Sequence, residues 1–254
     1  MLFKALCKKY SDTLKQYKDV KWTYDIFVRD VLSKYDQIKL VGDGSSRTAF
    51  ACIGGKCIKV AKFKSGIAQN AQEEKHTARH WWKRTYDCFA RTYRRSEGYE
   101  LLLSECCSRM ADEQSLADAL ETNDISVFTA AIWSIASEKT HDVRKSAENL
   151  RAKCAIWRKD GGAVNGVKLS DKSISAAECA AEWLESLLNR RTLSPGKKSF
   201  LQITNFWKKY GSDELLPGDI CSYQNWGYAI RGTELTPVML DIGFSRAVAD
   251  KFYK

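Results

Sequence analysis

The chain has few of the residues from which metal centres and disulfide frameworks are built. It contains three histidines among 254 residues, and its nine cysteines include no Cys-x-x-Cys pair. Structural zinc sites need clustered cysteine and histidine ligands, and disulfide frameworks are typical of short secreted chains with an even number of cysteines. The sequence therefore predicts neither kind of cross-link.

Long hydrophobic runs are also absent. No segment approaches the roughly 18 consecutive apolar residues that a membrane-spanning helix requires. The first residues, 1–12, become charged too early for a secretory signal. We therefore expect a cytoplasmic protein that has no membrane partner.

The charge is strongly of one sign, with a formal net charge of +10. A basic surface attracts nucleic acids, acidic proteins or nucleotides. The basic residues are scattered along the chain rather than gathered in one run, which favours a solvated surface over a nucleic-acid site. Nucleic-acid binding remains an alternative that this pattern does not favour.

The predicted secondary structure changes three times along the chain. Apolar residues at helical spacing fill 2–35, and a strand-and-turn texture follows from residue 38. Five strands are predicted, with one helix over 66–83 after the third; the strands cover 38–41, 48–53, 57–61, 89–93 and 99–103. From about residue 108 the pattern is helical, and it returns to short strands near 225–229 and 237–240.

This organisation predicts an α+β protein in three parts. Residues 1–36 form an N-terminal helical extension, 37–107 form a lobe built on a five-stranded antiparallel sheet with one helix, and 108–254 form a mostly helical lobe. The third part carries the loops that hold the candidate catalytic and metal-binding residues.

Two features of the predicted sheet are suited to phosphate binding. Gly42 and Gly44 lie in the turn between the first two strands, where glycine lets backbone N–H groups approach an anion closely. Arg47 stands where a third glycine would complete a glycine-rich pattern. Lys59 lies within an otherwise apolar strand and could pair with an anion, and Lys62 is the nearby alternative.

The helix after this strand carries the adjacent carboxylates Glu73 and Glu74. A carboxylate that faces Lys59 would hold its ammonium group in position to contact phosphates. The spacing alone does not decide between the two glutamates.

Three oxygen-bearing residues lie in loops near the end of the chain. Asp241 directly follows the apolar strand 238–240 and precedes Ile242 and Gly243, an arrangement suited to a metal-binding carboxylate. Asn225 offers an oxygen of the kind that magnesium prefers, and Asp219 could accept a proton from a hydroxyl group.

The order of these features resembles that of protein kinases: a glycine turn, a strand lysine, a helix glutamate, an Asp…Asn loop and a strand that ends in Asp-x-Gly. The chain is most similar to the small kinase-like proteins of tailed bacteriophages, through the stretch 66–70 and the Asn-Trp-Gly run at 225–227. The resemblance covers about 38–107 and 215–245.

The resemblance implies a protein-kinase-like two-lobed fold with a reduced helical C-lobe, which holds ATP and Mg²⁺ between its lobes. In it Gly42 and Gly44 cover the phosphates, and Lys59 contacts them while Glu73, or else Glu74, holds it in place. Segment 105–107 is then the hinge that binds adenine, with Glu105 and Cys107 as nucleotide-binding residues and Ser104 behind the base. Asp219 is the catalytic aspartate, and Asn225 and Asp241 are the magnesium ligands.

The chain departs from the kinase pattern in several places. Pro217 and Gly218 replace the His-Arg pair before the catalytic aspartate, Ile242 replaces a phenylalanine, and an activation segment is missing. The leading hypothesis is a serine/threonine protein kinase that transfers the γ-phosphate of ATP to protein hydroxyls, with proteins of an infected bacterial host as implied substrates. The alternatives are an aminoglycoside-kinase-like small-molecule phosphotransferase and a pseudokinase that serves as a binding module.

Overall fold

The computed structural model describes residues 2–78, 86–164, 167–188 and 193–253. Within them the chain is α+β with a five-stranded antiparallel sheet, which confirms the predicted class. Residues 79–83, at the end of the predicted helix over 66–83, lie outside the described residues. No described helix combines the length and the apolar character that crossing a membrane would need.

The chain forms two compact units. The first comprises 1–107 together with 241–254, and the second comprises 108–240. The sequence pattern predicts 241–254 as part of the helical lobe, whereas the structure places this segment in the unit that contains the sheet. The reason is local packing: Gly243 lies against the backbone of Gln69, and Gln69 Nε2 donates to Tyr253 Oη at 3.2 Å.

The first unit opens with helices, as the helical pattern over 2–35 predicts. Helix α1 spans Leu2–Tyr17 and α2 spans Val20–Ile26. The break falls at Lys18, which has a left-handed φ of 55°, and Asp19 then caps α2 with its side chain. Tighter and wider helical turns continue over 27–34.

The sheet follows in the predicted order of strands and helix. Its elements are β1 Lys39–Asp43, β2 Arg47–Cys52, β3 Lys56–Ala61, α3 Lys64–Thr77, β4 Thr92–Arg95 and β5 Leu101–Glu105. The strands are arranged β1-β2-β3-β5-β4, and every neighbouring pair is antiparallel. Strand β4 begins three residues later than the predicted start at residue 89.

The two faces of the sheet are covered by different helices. Phe50, Ile58 and Leu103 are paired across three strands and share one face because cross-strand partners project to the same side. Phe3 and Leu6 of α1 pack into the same core as these residues. The predicted N-terminal extension is therefore part of the core of this unit. Since side chains alternate along a strand, residue 59 projects to the opposite face.

The second unit is mainly helical. Its elements are β6 Ser108–Arg109, α4 Glu113–Leu120, α5 Ile125–Ser137, α6 Val143–Lys159, β7 Ala163–Val164, β8 Val167–Lys168, α7 Asp171–Leu188, α8 Pro195–Tyr210, α9 Pro217–Cys221, β9 Trp226–Arg231 and β10 Glu234–Met239. A last helix, α10 Arg246–Phe252, belongs to the first unit. Strands β10, β9 and β6 form a small antiparallel sheet in that order.

Aromatic side chains fill the helical core of the second unit. Phe128 of α5 makes edge contacts with Phe200 and Trp226, with ring centroids 6.1 and 6.2 Å away, and Trp183 packs edge-on against Phe200. Such arrangements add to the free energy gained from apolar burial. The contact with Trp226 anchors the residue that follows Asn225.

Candidate functional site

A buried ion pair lies on the sheet face that α3 covers. Lys59 is in the middle of β3 and is only 9% exposed, and its Nζ donates to both carboxylate oxygens of Glu73 at 2.6 and 2.7 Å. Glu73, on α3, is 1% exposed. Of the two glutamates that the sequence left open, the structure pairs Glu73 with the lysine.

Arg47 joins this pair from the first position of β2. Its Nη1 donates to Asn70 Oδ1 and to Glu73 Oε2, each at 3.0 Å, and its Nη2 donates to Asp241 Oδ1. The side chain is 6% exposed. The sequence analysis noted Arg47 only as the residue that stands in place of a third glycine, so this role was missed.

Asp241 brings the end of the chain into the same cluster. Its Oδ1 also accepts a hydrogen bond from the Gly243 N–H at 3.0 Å, and its side chain keeps 40% of its surface exposed. Burial alone would raise the pKa of this carboxyl group, but the nearby Arg47 and Lys59 cations outweigh it and hold the pKa below its usual range. Asp241 is therefore a carboxylate at neutral pH.

The cluster is balanced in charge. Lys59 and Arg47 contribute two positive charges, and Glu73 and Asp241 contribute two negative charges. Buried charges are tolerated when they are paired and hydrogen-bonded, and each of these four groups has a partner of opposite sign. The sequence separation of the partners, 194 residues for Arg47 and Asp241, means that only the fold brings them together.

Helix α3 positions the cluster through a buried face that is polar rather than apolar. Gly66, Gln69, Asn70, Glu73 and Thr77 recur at intervals of three and four and are all buried. A Cβ at position 66 would lie 2.2 Å from a backbone oxygen of the β1–β2 turn, so glycine allows the helix to approach that turn. This polar stripe is the signal in the sequence that could have identified Asn70 and Gln69 as site residues.

The β1–β2 turn is held by side chains. Ser46 Oγ donates to Gln69 Oε1 at 2.9 Å, and Asp43 accepts from Thr48 Oγ1 and pairs with Lys62 Nζ, each at 2.6 Å. The ammonium group of Lys62, the alternative to Lys59, thus pairs with Asp43 at the end of β1.

The two glycines of this turn differ in their surroundings. The sequence analysis placed both in the turn, but Gly42 is within β1, where it pairs with Ala49 beyond a bulge. Gly44 is in the turn, and its N–H donates to the Arg47 carbonyl at 2.9 Å. Of the two backbone N–H groups proposed to cover phosphates, that of Gly44 is already engaged.

The predicted hinge continues the hydrogen bonds of the sheet. The Glu105 N–H donates to the Arg91 carbonyl at 2.8 Å, and the Cys106 N–H donates to the Gly55 carbonyl at 2.9 Å. An adenine could use neither amide without breaking one of these bonds. Ser104, two positions along β5 from Leu102, the partner of Lys59, is fully buried, and its hydroxyl has no hydrogen-bond partner in the part of the chain that the structure describes.

Asp219 and Asn225 lie close together in the second unit. Asn225 Nδ2 donates to the Asp219 backbone carbonyl at 3.0 Å, which leaves the amide oxygen as the group that a cation could bind. The indole of Trp226 fixes the loop by donating to the Ile220 carbonyl at 2.7 Å. Proline at the first position of α9 provides the fixed φ that begins this short helix, and Asp219 follows two residues later.

The predicted site residues thus fall into two groups. Lys59, Glu73 and Asp241 meet in the first unit, and Asp219 and Asn225 meet in the second. Among the described residues, no group of three or more histidine, cysteine, aspartate and glutamate side chains is placed to hold a metal ion by itself. Of the two predicted magnesium ligands, Asp241 belongs to the first unit and Asn225 to the second.

Comparisons with protein-family models, with curated proteins and with solved structures found no match. The site is therefore interpreted from its own geometry.

Proposed function

We propose that the chain is an ATP- and Mg²⁺-dependent phosphotransferase with a kinase-like two-lobed fold, and that it acts on serine or threonine hydroxyls of proteins. The observation that carries the proposal is the cluster in which Lys59, Glu73 and Asp241 meet from three separate segments. These three are among the residues of the first unit to which the resemblance assigns roles in nucleotide and metal binding.

The energetics of the cluster favour a functional role over a structural one. Replacing a buried ion pair by well-packed apolar residues is often neutral or stabilising, because desolvation offsets most of the attraction between the charges. A lysine that is 9% exposed and bound by both oxygens of one glutamate is held in a fixed position. A fixed ammonium group on a sheet is suited to contact the phosphates of a nucleotide, since phosphoryl transfer depends on positioning and charge.

The residues of the first unit fit the groups that the reaction needs. Asp241 offers a carboxylate that is partly exposed and ionised, which is the hard oxygen ligand that magnesium prefers. The buried hydroxyl of Ser104 projects to the same sheet face as Lys59 and lacks a described partner, so a bound base could satisfy it. When bound, Mg²⁺ neutralises charge on the phosphates.

The second unit supplies the remaining roles in the proposal. Asn225 would offer its amide oxygen to a magnesium ion, and its bond to the Asp219 carbonyl fixes the orientation of the amide. Asp219 accepts the proton of the attacking hydroxyl group. A general base contributes about 10²–10⁴-fold to the rate, so loss of Asp219 reduces turnover by this factor and leaves nucleotide binding intact.

A pseudokinase is the second candidate, and two observations favour it. The guanidinium of Arg47 binds the carboxylate that would hold the metal, and Pro217 and Gly218 stand before Asp219 in place of a His-Arg pair. In this case the chain binds nucleotide weakly or without turnover and uses its surface to bind a partner.

Thermal unfolding with ATP and Mg²⁺ tests the proposal. A ligand that binds only the folded state stabilises it by about 2.7 kcal/mol at a concentration 100 times its Kd. We expect the wild type and Lys21→Met to gain stability, and Lys59→Met to gain none. Lys21 is a matched control because it pairs with Asp25 on the surface of the same unit. A wild type that does not respond, or an equal response from Lys59→Met, would refute the proposed site.

Turnover separates the two candidates. Release of phosphate or autophosphorylation that falls by about 10²–10⁴-fold in Asp219→Asn supports the enzyme. Nucleotide binding without turnover in the wild type supports the pseudokinase.

A further inference from the structure

We propose that Arg47 is an internal competitor for the divalent metal ion and thereby sets the metal affinity of the site. The inference rests on the proposed function, because it concerns Asp241 as a metal ligand. It assigns control of metal affinity to a residue that, in the sequence pattern, only stands in place of a third glycine.

The geometry places the guanidinium directly on the candidate ligand. Arg47 Nη2 donates to Asp241 Oδ1, and the Gly243 N–H donates to the same oxygen at 3.0 Å. This oxygen is therefore occupied by two donors. A metal ion that binds Asp241 must share its carboxylate with the arginine or displace it.

The other contacts of Arg47 hold it in this position. Nη1 donates to both Asn70 and Glu73, which lie one helical turn apart on the buried face of α3. Three bonds from the planar guanidinium to three different side chains fix its orientation, as a single ammonium group could not. Arg47 is therefore a permanent cation next to Asp241 and not a mobile surface residue.

The charge balance gives the competition its direction. With Arg47 present, two cations face two carboxylates, and the cluster has no excess negative charge to attract a divalent ion. Without the arginine the cluster has one negative charge in excess, and Asp241 Oδ1 loses one of its two donors. Removal of the guanidinium should therefore strengthen metal binding.

The test measures the binding of Mn²⁺ alone, followed by the loss of the spectrum of free Mn²⁺ in electron paramagnetic resonance. The variant Arg47→Met removes the charge and keeps much of the side-chain volume. Arg29→Met is the matched control, because Arg29 pairs with Asp30 on the surface of the same unit. Asp241→Asn identifies the ligand in both the wild-type and the Arg47→Met background.

We expect Arg47→Met to bind Mn²⁺ at least about tenfold more tightly than the wild type, a change of about 1.4 kcal/mol. Arg29→Met should bind as the wild type does, and Asp241→Asn should remove the gain. Arg47→Lys keeps a charge but cannot bridge three partners, so its affinity should lie between those of the wild type and Arg47→Met. Near-ultraviolet circular dichroism shows which variants are folded.

Two results would overturn the inference. One is a folded Arg47→Met that binds Mn²⁺ no more tightly than the wild type. The other is a tightening that survives Asp241→Asn, which would place the metal elsewhere. If Arg47→Met does not fold, equal Mn²⁺ affinities of Arg47→Lys and the wild type would overturn the inference instead.

The failure of the inference is distinguishable from failure of the proposed function. ATP stabilisation that depends on Lys59, together with unchanged Mn²⁺ affinity in Arg47→Met, rejects the competition and keeps the function. Absence of that stabilisation in both the wild type and Arg47→Met rejects the function itself.

Discussion

Glu73 should be the residue of the buried cluster on which the first unit depends most. It accepts hydrogen bonds from both cations of the cluster, Lys59 and Arg47. Glu73→Gln keeps the size of the side chain and removes its charge, so two cations then face the single carboxylate of Asp241. Lys59→Met leaves one cation and two carboxylates, and each of these carboxylates still accepts a hydrogen bond from Arg47.

The magnitudes follow from this difference. Breaking a buried pair so that charge remains uncompensated costs about 3–5 kcal/mol, and we expect this loss for Glu73→Gln. For Lys59→Met, whose counter-charge retains Arg47, we expect about 1–3 kcal/mol, the cost of losing hydrogen bonds to a charged group. The neighbouring Glu74→Gln is the matched control and should change the free energy of unfolding by less than about 0.5 kcal/mol.

Urea denaturation followed by far-ultraviolet circular dichroism measures the three variants. A loss of about 4 kcal/mol lowers the urea midpoint by roughly 1–2 M for a protein of this size. The double variant Lys59→Met/Glu73→Gln should be more stable than the sum of the single losses implies, because it removes a cation together with its carboxylate. The reasoning is refuted if Glu73→Gln is no less stable than Lys59→Met, or if it matches Glu74→Gln.

Three further predictions concern other parts of the chain. Asp142 caps α6, and hydrogen bonds from the Lys145 backbone and from Lys208 lower its pKa. Its stabilising effect is therefore present above the ordinary aspartate pKa and is lost as the pH falls through the lower pKa of the folded state. Asp142→Ala should cost about 1 kcal/mol at pH 7 and less below about pH 4, and a constant difference in thermal unfolding between these pH values would contradict this. Burial raises the pKa of the Cys57 thiol to about 12 and that of Cys221 to about 11, so at pH 8 iodoacetamide should label the exposed Cys179 well before these two, as mapped by mass spectrometry of the folded protein; equal labelling rates would refute it. Phe128→Ala should cost about 3–5 kcal/mol because the ring is fully buried, and a urea midpoint close to that of the wild type would count against the described core of the second unit.

Local patterns in the sequence were sufficient for the fold class and for part of the candidate site. The alternation of strands and turns after residue 38 predicts the five strands, and the helical pattern from about residue 108 predicts the mainly helical second unit. The strand lysine and the following helix predicted a pairing of Lys59 with one of two glutamates. The choice of Glu73 depends on the rotation of α3, which is set by the close approach at Gly66.

The remaining features depend on contacts between distant segments. A pattern around Arg47 contains no information about Asp241, which lies 194 residues away, so their pairing could not be predicted. Packing of α1 on the sheet likewise depends on contacts between distant segments. The apolar stripe of 1–36 predicts a buried helix face but does not indicate which surface covers it, so this segment was predicted as an extension. The break at Lys18 depends on one left-handed residue in an otherwise helical run.

The covering of the sheet by α1 and the turns after α2 has a practical consequence for anyone who wishes to work with the sheet and its ion cluster alone. A fragment that starts at residue 37 would leave Phe50, Ile58, Val60, Leu101 and Leu103 facing water on a single broad surface. A patch of this kind causes aggregation. The smallest fragment that keeps the ion cluster in a folded state must therefore retain the first helix, and it must also reattach 241–254, which carries Asp241.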